Sequence, residues 1–66
     1  MKLRLCVQEI RKKQYLTIRE LAEKSGVAKS TLQEIERGST INPRLETMYR
    51  LAKALNVKID DLCQEE

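Results

Sequence analysis

A chain of 66 residues has room for one domain, and at that size nearly every apolar side chain must serve a single core if burial is to offset chain entropy. Hydrophobic residues make up 41% of it, yet with no Phe, no Trp and only Tyr15 and Tyr49 the core must be aliphatic, and two glycines with one proline favour helices on short connections over a sandwich or barrel. The net charge of +3 is compatible with a polyanionic partner without requiring one.

No His and only two cysteines, Cys6 and Cys63, exclude a four-ligand structural zinc site. No secretory segment and no apolar run long enough to span a bilayer occur, so the expectation is a cytoplasmic protein with no membrane association, reduced thiols and no cofactor or metal. The two cysteines read as small core or surface residues that meet only if the termini pack together. Charge is uneven along the chain. Lys2, Arg4, Arg11, Lys12 and Lys13 oppose a single Glu9 at the start, and Asp60, Asp61, Glu65 and Glu66 oppose Lys58 at the end. Such polarity would turn the acidic end away from a phosphate surface; ordinary solvated charge is the alternative.

Turn signals at Ser25-Gly26, Arg37-Gly38, Asn42-Pro43 and Asn56 cut the chain into five segments of helical character. In the first, Leu3, Val7 and Ile10 recur at helical spacing, although the alternation over residues 2–5 also suits a short extended lead-in. The second opens on Thr17 with Glu20 three residues later, the pattern of a capping box, turns Leu21 and Ala22 inward, and ends at Gly26. The third runs from about Ala28 to Arg37, with Leu32 and Ile35 buried, and stops at Gly38. The fourth starts near Arg44 and shows the stripe Leu45, Met48, Leu51, Ala52 and Leu55. The last is a short turn or helix at Ile59–Leu62.

Only Ser25, Gly26 and Val27 separate the second and third segments. A helix closed by glycine, a buried residue one step later, then an immediate new helix forces a sharp crossing, the helix-turn-helix unit. Gly26 turns the chain, Val27 plugs the gap, and Ala22 permits close approach. Helical hairpins that bind nothing share this pattern.

The run LTIRELAEKSGVAKSTLQEIERG (Leu16–Gly38), followed by NPRLETMYRLAKALNVKIDDL (Asn42–Leu62), resembles the Cro/C1-type (XRE) helix-turn-helix family, to which phage repressors and Cro belong. The resemblance implies an all-α, five-helix, lambda-repressor-like domain over residues 1–66, with its helix-turn-helix at about 17–37. It also implies a reading helix in the major groove of double-stranded DNA and a homodimer on a pseudo-palindromic operator. The family's base-reading positions fall on Ala28, Lys29, Ser30, Gln33 and Glu34. Lys29 suits guanine O6/N7, Gln33 adenine, Glu34 cytosine N4, and Ser30 several bases; the alternative for each is a solvated helix face. Phosphate-contacting positions fall on Thr17, Arg19, Arg37, Thr40 and Arg44, with Asn42 a weaker candidate that equally suits the turn before Pro43. Arg11 and Glu36 match a structural ion pair between the first helix and the end of the third. The dimer surface is expected around Asn56, Val57, Ile59 and Leu62.

Departures from the family are Ile18, where Gln is usual and where an exposed Ile would touch a thymine methyl or a protein, and Ala28, Arg44 and Lys58, which replace small polar caps. The expected function is a transcriptional regulator, a repressor. A second expectation is an antitoxin-like module that binds a small protein partner and its own promoter. No nucleophile–base pair or glycine-rich phosphate loop supports an enzyme, so no catalytic residue is assigned.

Overall fold

The computed structural model describes residues 3–38 and 43–65. A strand β1 (Leu3–Leu5) leads into helices α1 (Val7–Lys13), α2 (Ile18–Ser25), α3 (Lys29–Arg37) and α4 (Leu45–Leu55); a 3-10 turn (Ile59–Leu62) and a strand β2 (Cys63–Glu65) follow. The all-α class stands, with four α-helices among the described residues in place of the five expected. The fifth shrinks to a single 3-10 turn, because its four residues pass straight into β2.

The extended alternative for residues 2–5 prevails over the helical one from Leu3 to Leu5. β1 pairs antiparallel with β2, Leu3 opposite Glu65, Arg4 opposite Gln64 and Leu5 opposite Cys63, and the Cys6 amide donates to the Leu62 carbonyl at 2.8 Å. α1 therefore begins at Val7, and Leu3 belongs to β1. The pairing sets Arg4 beside Gln64. Arg4 reaches Glu9 at 2.6 Å and Gln64 at 3.1 Å. Cys6 is buried, Cys63 half-buried, and both are free thiols. Burial, and then the nearby Cys6 and Asp60, push the Cys63 thiol above its usual range, so it stays protonated at neutral pH.

Val7, Leu21, Leu32, Leu51, Leu55 and Leu62 are fully buried and, with Val27, Ile35, Met48, Ala52 and Ala54, make one aliphatic core. Leu45, read as the start of the α4 stripe, is 75% exposed. It is the first helical residue of α4, and the core ends a turn short of it. Leu62, expected on a dimer surface, is completely enclosed and serves the core instead.

Each helix ends on local chemistry. Gly26 (φ +75°) and Gly38 (φ +82°) take the left-handed conformation that closes α2 and α3, and Asn56 (φ +57°) does the same for α4. α1 ends without glycine: the amides of Tyr15 and Leu16 donate to the carbonyls of Lys12 and Arg11, which forces Tyr15 to φ +58°. Its ring is 93% exposed and contributes no packing. A left-handed side-chain-bearing residue costs roughly 1–2 kcal/mol, and glycine's freedom in the unfolded chain returns part of that, so Tyr15→Gly should stabilise the fold by about 0.5 kcal/mol. Thermal unfolding should then shift upward by roughly 2–4 °C; a lowered midpoint would show that Tyr15 holds something its exposure conceals.

Candidate nucleic-acid interface

Thr17 starts α2 with a complete capping box: its hydroxyl accepts the Glu20 amide at 3.1 Å, while its own amide donates to Glu20 Oε1 at 2.9 Å. The Glu20 carboxyl is held below its usual range because only the ionised form accepts that backbone bond as strongly. A depressed folded-state pKa stabilises above the unfolded value, near 4.5, and that contribution vanishes as pH falls through the folded value. The capping contribution should thus be constant from neutral pH to about 5 and decline below about 4.5. Comparing acid unfolding of the parent with Glu20→Gln checks it: an unchanged difference between the two across that window would remove the carboxylate from the cap.

At the crossing of α2 and α3, Ser25 is buried, and its hydroxyl accepts the Val27 amide at 3.2 Å. That bond satisfies a donor inside the turn that neither helix can reach. Gly26 faces α4, where an added Cβ would approach the Arg50 guanidinium to 3.3 Å. Val27 is buried between the helices. Composition marks Ser25 only as turn material; its bracing role depends on burial.

α3 is thereby pinned with Leu32 and Ile35 inward. Lys29, Ser30, Gln33, Glu34 and Arg37 are all exposed and recur at helical spacing along the opposite face. Ala28 precedes them as an exposed N-cap without a side-chain hydrogen bond, and Arg44 caps α4 in the same unassisted way. At Lys58 the side chain caps nothing, and only the reciprocal bond of a capping box forms, the Lys58 amide donating to Asp61 Oδ2 at 3.0 Å. Arg19 lies on the outer face of α2, loosely paired with Glu23 at 3.4 Å. Thr40 and Asn42 lie outside the described residues. Ile18 is half-buried and packs on the core edge, so it is not the freely exposed residue anticipated.

Arg11 Nε and Nη2 donate to the two carboxylate oxygens of Glu36 at 2.8 and 2.9 Å, and Nη1 donates to the Leu16 carbonyl at 2.7 Å. One guanidinium thus ties α1 to the last turn of α3 and to the approach to α2. Both side chains are about nine-tenths enclosed, at 11% and 7% exposure. The hydrogen bonds to Glu36 hold the guanidinium pKa above its ordinary value, so Arg11 stays charged. Gln14 makes a comparable tie that spacing does not reveal, its amide donating to the Leu55 carbonyl at the end of α4 at 2.7 Å. Among the described residues no helix is long and apolar enough to cross a membrane, and no cluster of three or more metal-ligating side chains occurs.

Two helices crossed over a three-residue turn, the second with its outer face uncovered, define a helix-turn-helix domain. A helix-turn-helix family model matches residues 7–62, and the chain belongs to that family, of the Cro/C1 type. It is 37% identical over 60 residues to the HTH-type transcriptional regulator SinR of Bacillus subtilis, covering 91% of this chain and 54% of SinR. It is 38% identical over 60 residues to the immunity repressor of Bacillus phage phi105, covering 91% of this chain and 41% of the repressor. A crystal structure of SinR, the master regulator for biofilm formation, in complex with DNA superposes with a TM-score of 0.81 at 38% identity, covering 85% of this chain and 89% of that one. The chain spans about half the length of the full SinR.

Proposed function

We propose that this chain is a sequence-specific DNA-binding transcriptional regulator, a repressor, that inserts α3 into the major groove. The exposed stripe of Lys29, Ser30, Gln33, Glu34 and Arg37, opposite the buried Leu32 and Ile35, carries the reading. Polar groups with distinct donor and acceptor patterns stand along a helix whose other face is locked to the core, which is what direct readout of base edges requires. Lys29, Ser30, Gln33 and Glu34 read bases, with Ala28 close enough to the groove floor for an apolar contact. Thr17, Arg19, Arg37, Thr40 and Arg44 set the register on phosphates, Thr17 through the first-turn amides of α2. The likeness to SinR in its DNA complex supports this placement.

The protein acts as a homodimer, because one small domain covers only a half-site, and two copies about 34 Å apart reach successive major grooves on one side of the duplex. The dimer surface is a groove of about 510 Å³ between the end of α4 and the 3-10 turn, where Tyr49, Val57 and Ile59 offer apolar surface beside Lys53 and Asp60. Asn56 lies exposed at its edge, and Leu62 has no part in it.

Selection of bound duplexes from a random pool, with the protein's mass measured in solution, tests both claims. A palindromic consensus and a dimeric mass are expected; failure to enrich any duplex at low salt would overturn the reading. Arg44→Ala should weaken every duplex alike and reduce the magnitude of the salt slope by about one. An unchanged slope would place Arg44 off the backbone.

A further inference from the structure

Beyond the polar stripe, the outer side of the helix-turn-helix holds one apolar residue in an unusual setting. Ile18, the first residue of α2, packs on the core edge yet keeps part of its surface in a shallow pocket of about 250 Å³ that it shares with Gln8, Gln33, Glu36 and Arg37. The pocket thus joins the start of α2 to the middle of the α3 stripe. We infer that Ile18, beside Gln33, receives the 5-methyl group of a thymine. The inference rests on the DNA-binding reading above and assigns one specificity contact within it.

The chemistry of the groove singles out that group. Phosphates, amines and carbonyls facing Ile18 would lose water without gaining a hydrogen bond. The thymine methyl is the apolar substituent that the natural base pairs display in the major groove. A glutamine amide at Gln33 is suited to adenine N6/N7, which places thymines in the immediate vicinity. Ile18 is also held ready for such a contact. It is β-branched, with restricted χ1 freedom, and it leans on the core, so little side-chain motion remains to be lost on binding. The enclosed Arg11–Glu36 pair fixes the pocket's far wall, because Glu36 cannot swing away without breaking its bidentate contact.

Replacing thymine by deoxyuridine removes the methyl and leaves Watson–Crick pairing intact. Each thymine of the selected operator is replaced in turn, and affinity is measured by fluorescence anisotropy. One position in each half-site should weaken about fourfold, the effect of one buried methyl-sized group. It should lie within one base-pair step of the pair whose preference Gln33→Ala relaxes. Ile18→Ala should bind the thymine operator about as weakly as the parent binds the deoxyuridine one, and should no longer distinguish the two, whereas Ile18→Val should keep the distinction.

Equal binding of every deoxyuridine duplex by the parent protein would overturn the inference and leave the DNA-binding reading intact. So would a methyl-sensitive position two or more steps from the Gln33 contact, or an undiminished methyl effect in a folded Ile18→Ala. The first two outcomes are read without any Ile18 variant, so loss of folding in Ile18→Ala does not shelter the idea. Failure to bind any duplex would overturn both readings together.

Discussion

Glu36→Gln should unfold most of the protein at physiological temperature. The carboxylate is 7% exposed and holds two of the three bonds of an Arg11 side chain that is itself 11% exposed. Removing one partner of a buried pair leaves an uncompensated charge and costs about 3–5 kcal/mol. A single aliphatic core of this size rarely supplies more than about 3–5 kcal/mol in total, so the loss consumes nearly the whole margin. Urea titration followed by circular dichroism in the far ultraviolet would show the midpoint collapse. The double variant Arg11→Met with Glu36→Leu should recover most of the loss, because apolar replacement of both partners removes the buried charge. Recovery stays incomplete, since the Leu16 carbonyl loses the Nη1 donor. A Glu36→Gln cost below about 1 kcal/mol, the range of exposed pairs, would mean that water screens the site and that α1 is not tied to α3 through it.

Lys29→Ala should weaken operator binding about tenfold or more while leaving the fold intact. Lys29 is the first residue of α3, exposed, at the end of the helix that would enter the groove most deeply. A good specific base contact is worth about 1–3 kcal/mol, and its loss should relax preference at one operator position while other positions keep theirs. Affinities for the selected operator and its single-position variants, compared between parent and Lys29→Ala, give the answer. An equal loss on every sequence would reassign Lys29 to the phosphates, and no loss would leave it on a solvated face. Ser30, one position on, has a shorter reach and offers a smaller effect.

Much of this architecture is written in short stretches of chain. Thr17 and Glu20 announce the start of α2, Gly26 and Gly38 its end and that of α3, and three residues between two apolar stripes announce the crossing. These signals are legible because each is satisfied within a few residues, by a cap, a left-handed turn or a helical face. The outward residues of α3 follow from the same logic: once Leu32 and Ile35 point inward, Lys29, Ser30, Gln33 and Glu34 point out.

Contacts between distant segments are not legible in this way. Pairing of Leu5 with Cys63 turns the first residues into a strand, and no local preference announces a partner nearly sixty positions away. Tyr15 sits left-handed because the α1 end demands that conformation whatever residue is there. Leu45 and Leu62 depart from expectation for one reason: periodicity says which side chains share a face, but the extent of the opposing surface sets which of them are covered. Ile18 lies between these cases, its burial set by where α2 meets the core edge and its open side by the pocket it shares with Gln33.

Local chemistry alone specifies the start of α2, the glycine stops of α2 and α3 and the outward stripe on α3, because hydrogen bonds and caps close over a few residues. The joining of the two chain ends, the enclosure of Arg11 with Glu36 and the half-covered position of Ile18 come from packing. Burial is a property of surfaces that meet, and no single stretch of chain contains both.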